Sequence, residues 1–240
     1  MTGAPASIVL RDLCVDFPLL GTGDRNLQAS PASDDQGKGV IQVRGGTRYV
    51  RALDHANLEI NTGDRVGILG QNGSGKTTLL RTLNGVYAPT SGSLTVTGRV
   101  QPFLNIAFGM DEDASGYENM IIRGVMLGAR PKFMYEKLDE IAEFTELGDF
   151  LNLPVRTYST GMRMRLVFAV ASSLPSDILL MDEWLSVGDV AFREKAKARL
   201  LERVDEAKIL VIASHNESLL KQLCNRIVSI RAGIITELVG

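Results

Sequence analysis

Residues 66–84 read VGILGQNGSGKTTLLRTLN, and this stretch decides the fold. The apolar run 66–69 is typical of a buried strand, and the residues from Thr77 onward have the apolar spacing of a helix that ends at Gly85. Between them, residues 70–77 follow the pattern G-x-x-x-x-G-K-[ST]. Glycines let such a loop direct several backbone N–H groups at phosphate oxygens, and the helix N-terminus adds positive potential. The stretch therefore predicts a phosphate-binding loop.

The loop also predicts which residues hold a nucleotide. Lys76 is placed to reach the β- and γ-phosphates, and Thr77 is placed to offer a hydroxyl to Mg²⁺. A plain Gly-rich turn before a helix is the alternative, and the strand–loop–helix context makes it the weaker one. We assign the nucleotide contacts to Gly70, Asn72, Gly73, Ser74, Gly75, Lys76, Thr77 and Thr78.

A second apolar run ends in two acids. Residues 178–181 are Ile-Leu-Leu-Met, and Asp182 and Glu183 follow directly. The carboxyl ends of strands in an open α/β sheet are where ligands bind. Asp182 would hold Mg²⁺ through water, and Glu183 would polarise an attacking water. An acidic first turn of a helix is the alternative, but the phosphate loop favours the catalytic interpretation.

Two further positions fit the same site. Ser159, 23 residues before Asp182, precedes a helix and has the side chain of an N-cap. The same helix start, with Gly161 nearby, would suit an anion, and spacing alone does not decide between the two. His215 follows the apolar run 209–213 and lies 33 residues after Asp182, so we expect it to contact the γ-phosphate. The remaining residues of interest are interpreted as structural or packing residues: His55, Met162 and Trp184.

The order of elements indicates an α/β fold. Continuous apolar runs alternate with helical segments, as in a parallel sheet covered on both faces. Residues 226–230 and 234–238 flank Gly233 and predict an antiparallel hairpin. Residues 114–173 contain no convincing strand and predict a helical subdomain, with Pro131 opening one helix. Residues 21–46, rich in Gly, Ser, Asp and Pro, predict a loop insertion within a single domain over 1–240.

Composition excludes several classes of protein. Hydrophobic residues make up 45% of the 240 residues and charged residues 22%, which excludes a disordered, collagenous or coiled-coil chain. The formal net charge of −2 offers no general attraction to nucleic acid. Cys14 and Cys224 are too few for a disulfide framework. We expect no signal peptide, and no membrane span, because the most apolar run, 166–181, is interrupted by polar residues and Pro175.

The chain resembles the ATP-binding-cassette ATPases, because it has four of their motifs in the same order. These are the phosphate loop, the Ser-Thr-Gly helix start, the Asp-Glu pair and the Ser-His pair. The resemblance implies a P-loop NTPase core with a mostly parallel sheet, an antiparallel β subdomain and an inserted helical subdomain. It also implies ATP and Mg²⁺ as ligands and a homodimer that sandwiches the nucleotide. It implies that Ser159, Thr160 and Gly161 act on the nucleotide of the other subunit. Glu183 is implied as the general base, His215 as the switch histidine, and Asp189 as part of the D-loop over 186–189. Tyr49, 27 residues before Lys76, is implied to stack on the adenine ring.

Departures from the common family pattern narrow the resemblance. The signature turn reads Tyr-Ser-Thr-Gly-Met, and Asn105 is the nearest equivalent of the usual Q-loop glutamine. The strings YSTGMR, DEWLSVGD and GYEN look like the ATPase subunits of bacterial exporters of O-antigen, capsule and teichoic acid. The chain ends at Gly240 soon after the cassette, so we expect no carbohydrate-binding domain. The ATPase of another exporter, for lipids or drugs, is the alternative.

The resemblance also implies partners and a location. We expect two copies of the chain to bind two copies of a membrane permease with several spans, at the cytoplasmic face of the cell membrane, and we expect no nucleic-acid partner. The predicted docking surface combines the helical residues 114–153 with the apolar loop 103–113, which includes Ile106 and Phe108. Packing of these apolar residues between the core and the helical subdomain is the alternative.

Overall fold

The computed structural model describes residues 5–19, 40–44, 47–103, 109–183 and 190–238. The single domain predicted over 1–240 divides into two compact units. Unit 1 comprises Met1–Gly98, Leu180–Glu183 and Lys208–Gly240, and unit 2 comprises Arg99–Leu179 and Trp184–Ala207.

The described residues form ten strands and six α-helices. The strands are β1 (Ser7–Pro18), β2 (Val40–Arg44), β3 (Thr47–Asn61), β4 (Arg65–Leu69), β5 (Ser91–Thr97), β6 (Val100–Phe103), β7 (Ile178–Asp182), β8 (Ile209–Ser214), β9 (Arg226–Arg231) and β10 (Ile234–Leu238). The helices are α1 (Lys76–Leu83), α2 (Gly116–Met126), α3 (Pro131–Thr145), α4 (Thr160–Ser173), α5 (Val190–Glu206) and α6 (Glu217–Leu223). Each of these helices is too short or too polar to span a bilayer.

One sheet of unit 1 is antiparallel. Its strand order is β2-β3-β1-β5, and it pairs the long strands β1 and β3 from Ser7 opposite Asn61 to Pro18 opposite Tyr49. Alternate side chains of β1, such as Ile8 and Leu10, are fully buried, as the period of a half-buried strand requires. The pairing shifts register several times between Leu10 and Asp16, which indicates β-bulges.

The prediction of a loop over residues 21–46 is wrong at the C-terminal end of that range. Residues Val40–Arg44 form β2, which pairs with β3. An edge strand needs pairing on one side only, so Val-Ile-Gln-Val was enough apolar sequence to form one beside the long β3. Residues 21–39, 45 and 46 lie outside the described part of the chain.

The second sheet of unit 1 is mostly parallel, as predicted. β4 pairs in parallel with β8 and with β9, and β9 pairs antiparallel with β10. The strand order runs β10-β9-β4-β8-β7. β8 and β7 consist almost wholly of buried aliphatic residues, the pattern of a sheet covered on both faces. The predicted hairpin at 226–238 is confirmed.

The turn of this hairpin connects to two other parts of unit 1. Gly233, with φ +82°, donates its backbone N–H to the carbonyl oxygen of Ser74 over 2.9 Å. Its own carbonyl oxygen accepts from the N–H of Asp54 over 3.0 Å. A Cβ at this position would lie 2.8 Å from the Ala52 carbonyl oxygen, so only glycine fits. The turn therefore joins the phosphate loop to β3.

Unit 2 is mainly helical. Between residues 114 and 173 it holds α2, α3, α4 and two short 3₁₀ helices, Gly148–Asn152 and Val155–Thr157. Ser115 caps α2 in a reciprocal capping box with Glu118, and Pro131 occupies the first turn of α3, as predicted. Unit 2 also contains α5, β6 and the first two residues of β7, so it extends beyond the predicted helical subdomain.

Phe168 lies at the centre of an aromatic cluster in unit 2. Its ring is fully buried, and its centroid lies 5.9–6.3 Å from those of Phe103, Phe144 and Phe192. Aromatic pairs at such separations add stability beyond the area they bury. Phe168, which α4 supplies, is thus the one ring of the four that pairs with all of the others.

Replacing Phe168 by Ala should lower the free energy of unfolding by about 3–5 kcal/mol, because the truncation leaves a cavity among three rings. Urea denaturation followed by far-UV circular dichroism measures the change. The matched control is Phe150→Ala, at a side chain that is 51% exposed, which should change the same quantity by less than about 0.5 kcal/mol. Equal effects of the two substitutions would contradict this account of the core.

Candidate functional site

The phosphate loop leaves no room for side chains at two of its glycines. A Cβ at Gly75 would lie 2.6 Å from the carbonyl oxygen of Ala52, and one at Gly70 would lie 2.6 Å from that of Ile230. Gly75 also has φ +115°, which disfavours any other residue. The loop is therefore held tightly against the backbone of β3 and β9. This explains why the motif requires glycine at both ends.

Helix α1 begins at Lys76 directly after this loop. Within the described residues, no side chain caps its N-terminus. The N–H groups of its first turn and its dipole therefore suit an anion. The Lys76 side chain is 7% exposed, and its Nζ donates to the carbonyl oxygens of Gly70 at 2.7 Å and Gln71 at 3.0 Å. The ammonium group thus lies within the loop, where a phosphate would take over these contacts.

Thr77 and Asp182 meet although they are 105 residues apart. The Thr77 hydroxyl donates to Asp182 Oδ2 over 2.7 Å. A hydroxyl and a carboxylate are hard oxygen ligands, which suit Mg²⁺ when substrate phosphates complete the coordination. These residues fit the ion that the sequence predicts, and Thr77 and Asp182 would hold it. The bound ion would neutralise charge on the phosphates.

Glu183 has an unusual backbone. Its φ of +68° lies in the left-handed region, and its N–H donates to the carbonyl oxygen of Ala213 on β8 over 2.9 Å. Its Oε1 lies 2.9 Å from Nδ1 of His215, which donates the hydrogen bond because a carboxylate can only accept. Backbone strain of this kind collects at functional sites. The turn directs the carboxylate toward His215 at the carboxyl end of the sheet.

One cavity brings most of the predicted nucleotide residues together. It has a volume of about 440 Å³ and is open to solvent on one side. Its lining includes two β3 residues that the sequence did not indicate, together with predicted ones: Val50, Ala52, Asn72, Gly73, Gly75, Lys76, Thr77, Thr78, Asp182 and Glu183. Val50 and Ala52 belong to no sequence motif. They line the cavity because β3 runs past the phosphate loop, and the sequence alone does not show this.

Tyr49 is not among the residues that line this cavity. Side chains alternate along a strand, so Tyr49 lies on the opposite face of β3 from Val50 and Ala52. Gly70 and Ser74 also lie outside the lining, although both belong to the loop. The Ser74 side chain is buried and has no hydrogen-bond partner among the described residues.

The signature turn lies in unit 2. Ser159 is the N-cap of α4, and its Oγ accepts from the N–H of Met162 over 3.2 Å. This bond leaves the hydroxyl hydrogen available to donate, so the capping and anion-binding interpretations are compatible. Ser159 and Thr160 are exposed, and a Cβ at Gly161 would have only Ser159 Oγ nearby, at 3.8 Å. Met162 packs against the core of unit 2, as predicted.

Several predicted residues lie outside the described part of the chain. They are Asn105, Ile106 and Phe108 of the loop before α2, Trp184, and the D-loop over 186–189 with Asp189.

The comparisons with known proteins agree with this geometry. The family model described as "ABC transporter" matches residues 53–186, which is more than half of the chain. The chain belongs to the ABC transporter family.

Among its relatives, the "O-antigen export system ATP-binding protein RfbE" of Yersinia enterocolitica is 43% identical over 231 residues, covering 96% of this chain and 97% of that protein. The "Teichoic acids export ATP-binding protein TagH" of Enterococcus faecalis is 39% identical over 176 residues, covering 73% of this chain and 39% of that protein. The dimeric ATP-binding cassette MJ0796 bound to ADP and Pi covers 97% of this chain with a TM-score of 0.67. At 19% identity, that likeness shows the fold alone.

Replacing Lys76 by Ala in this cassette should weaken ATP binding tenfold to a hundredfold. The reason is that a charged hydrogen bond to a phosphate is worth about 1.5–3 kcal/mol. Fluorescence titration with a labelled ATP analogue measures the dissociation constant. Lys132→Ala, at a side chain that is 90% exposed, is the control and should bind as the unmodified chain does. Unchanged affinity in Lys76→Ala would show that the loop does not bind the phosphates.

Replacing Glu183 by Gln should leave ATP binding intact and lower the hydrolysis rate by about 10²–10⁴, because the amide keeps the shape of the side chain but cannot accept a proton. Phosphate release and ATP affinity are measured separately. Glu136→Gln, on the surface of α3, serves as the control with normal turnover. Hydrolysis near the normal rate in Glu183→Gln would remove Glu183 from the role of general base.

Proposed function

We propose that the chain is the ATP-hydrolysing subunit of an exporter that moves a lipid-linked polysaccharide across the cell membrane. The observation that carries the enzymatic part is the arrangement at one cavity. The ammonium group of Lys76 lies inside the phosphate loop. Thr77 is hydrogen-bonded to Asp182, and Glu183 is hydrogen-bonded to His215. Together they provide a phosphate site, a metal site and a base.

In the proposed reaction, the loop backbone and Lys76 bind the phosphates of ATP, and Thr77 and Asp182 would hold Mg²⁺. Glu183 accepts a proton from the water that attacks the γ-phosphorus, the bond from that phosphorus to the β–γ bridging oxygen breaks, and ADP and phosphate are released. His215 orients the carboxylate of Glu183 through its Nδ1–H. The backbone fixes the position of Glu183. Its positive φ and the hydrogen bond from its N–H to the carbonyl oxygen of Ala213 define the turn. The contact between Tyr49 and adenine stays a prediction. Tyr49 is not among the residues that line the cavity, whereas its neighbours Val50 and Ala52 on β3 are.

A single chain supplies only part of the proposed site. We propose that two copies form a homodimer in which the turn at Ser159, Thr160 and Gly161 faces the γ-phosphate bound to the other copy. The exposed hydroxyl of Ser159, which already accepts one bond from α4, can donate to that phosphate. ATP binding would close the dimer, and hydrolysis would release it.

The polysaccharide substrate is supported by the relatives. The protein that is 43% identical over nearly the whole of this chain belongs to an O-antigen export system, and a second relative to teichoic acid export. Both relatives are named for the export of a surface polymer, O-antigen in one and teichoic acids in the other. We propose that this chain binds two copies of a polytopic permease at the cytoplasmic face of the membrane and opens a path for such a polymer.

The experiment compares a strain lacking the gene with the same strain complemented by the unmodified chain or by Glu183→Gln. We expect the unmodified chain to restore surface polysaccharide. Glu183→Gln should leave the polymer inside the cell on its lipid carrier, because synthesis continues while export stops. Extracted lipid-linked glycan and surface glycan are both quantified. Normal surface polysaccharide in the deletion strain would exclude the export function and leave the ATPase assignment standing.

A further inference from the structure

Three metal-binding side chains meet in unit 1, where β1 and β3 pair irregularly. Cys14, Asp54 and His55 each place one ligand atom within 4.8 Å of the other two. A thiolate, a carboxylate and an imidazole are the ligands that Zn²⁺ prefers in proteins. None of the three lines the nucleotide cavity, and none belongs to a motif of the ATPase.

Each of these side chains is held by a further hydrogen bond. The Sγ of Cys14 accepts from the backbone N–H of His55 at 3.3 Å. Nδ1 of His55 lies 2.6 Å from Asp12 Oδ1, and Asp54 Oδ1 accepts from Nη1 of Arg51 at 2.8 Å. Metal ligands are characteristically oriented by hydrogen bonds to outer groups. The outer contacts of a metal site are therefore already in place.

The bond to Asp12 also determines which imidazole nitrogen is available. Because Nδ1 donates its hydrogen to the carboxylate, Nε2 keeps its lone pair for a ligand. Nε2 lies 3.9 Å from Asp54 Oδ1. Ligand atoms around a tetrahedral Zn²⁺ are about 3.3–3.8 Å apart, given bond lengths of about 2.0–2.3 Å. Small side-chain movements would bring the three ligand atoms to these separations.

The charges around the cluster favour a divalent cation. The guanidinium of Arg51 makes a two-pronged contact with Asp16, with its Nε and Nη2 at 2.8 and 3.1 Å from the two carboxylate oxygens. Asp16 thus balances the charge of Arg51. The carboxylates of Asp12 and Asp54 are then left to offset the charge of a dipositive ion.

The backbone presents the ligands where the two central strands of the sheet pair irregularly. Asp12 and His55 both have φ in the left-handed region, at +51° and +46°, which is uncommon for residues other than glycine. Cys14 is buried, whereas the side chains of His55 and Asp12 are 61% and 70% exposed. An ion bound here would have protein ligands on one side and solvent on the other, so water can fill the fourth position.

We propose that Cys14, Asp54 and His55 form a Zn²⁺ site, with Asp12 positioning the imidazole of His55. The proposed site shares no residue with the lining of the nucleotide cavity.

Titration of the purified chain with Co²⁺ tests the proposal, with excess Mg²⁺ present to occupy the nucleotide site and a non-thiol reductant. A bound thiolate gives a sulfur-to-cobalt charge-transfer band, and Zn²⁺ should displace Co²⁺ at one equivalent. Cys224→Ser is the matched control and should keep the band. Its thiol has a pKa raised to about 11 by burial, which disfavours the thiolate that binds metal.

Three substitutions decide the outcome. Cys14→Ser should abolish the charge-transfer band, and His55→Ala should weaken Zn²⁺ binding at least a hundredfold. Asp12→Asn should weaken it about tenfold to a hundredfold, the usual effect of losing an outer contact. If Cys14→Ser fails to fold, His55→Ala decides, because that side chain is mostly exposed. Absence of one-to-one Zn²⁺ binding by the unmodified chain, or unchanged binding by His55→Ala, overturns the proposal.

Discussion

The close contact between the phosphate loop and its supporting strands is the constraint on which the nucleotide site depends. At Gly75 and Gly70 the loop lies so near the carbonyl oxygens of Ala52 and Ile230 that a methyl group would not fit. One of these strands, β3, belongs to the antiparallel sheet, and the other, β9, belongs to the parallel sheet. The loop therefore has its shape because both sheets of unit 1 are in place around it. The local sequence supplies the glycines, and the tertiary structure supplies the backbone of β3 and β9 against which the loop packs.

The same dependence explains how much could be predicted from sequence. The strand β4, the loop and α1 are contiguous and carry a complete motif, so the prediction succeeded there. The sequence predicts that Thr77, Asp182, Glu183 and His215 lie at one edge of the parallel sheet, because each comes after an apolar strand. It does not predict the hydrogen bond between Glu183 and His215. Val50 and Ala52 were missed because what brings them to the cavity is the pairing of β3, which leaves no local signal. Strand β2 was missed because its apolar residues are few and follow a Gly-rich segment.

The cluster at Cys14, Asp54 and His55 illustrates the same limit more sharply. His55 was interpreted as structural because no motif surrounds it. Its partners Asp12 and Cys14 come from another strand, more than forty positions earlier along the chain. Bulges in β1 displace the regular alternation of side chains, so a period-two pattern does not predict which of them face one another. Such groups become visible only when the register of the two strands is known.

The hairpin turn at Gly233 has a consequence for the order in which the protein matures. Its N–H binds the phosphate loop at Ser74, and its carbonyl oxygen binds β3 at Asp54, although it comes about 160 residues after the loop. During synthesis, the loop emerges from the ribosome long before this support exists. A nascent chain that stops before β9 lacks both the strand beside Gly70 and the turn behind Ser74. The ability to bind nucleotide thus arises late in translation, as one of the last properties the growing chain acquires.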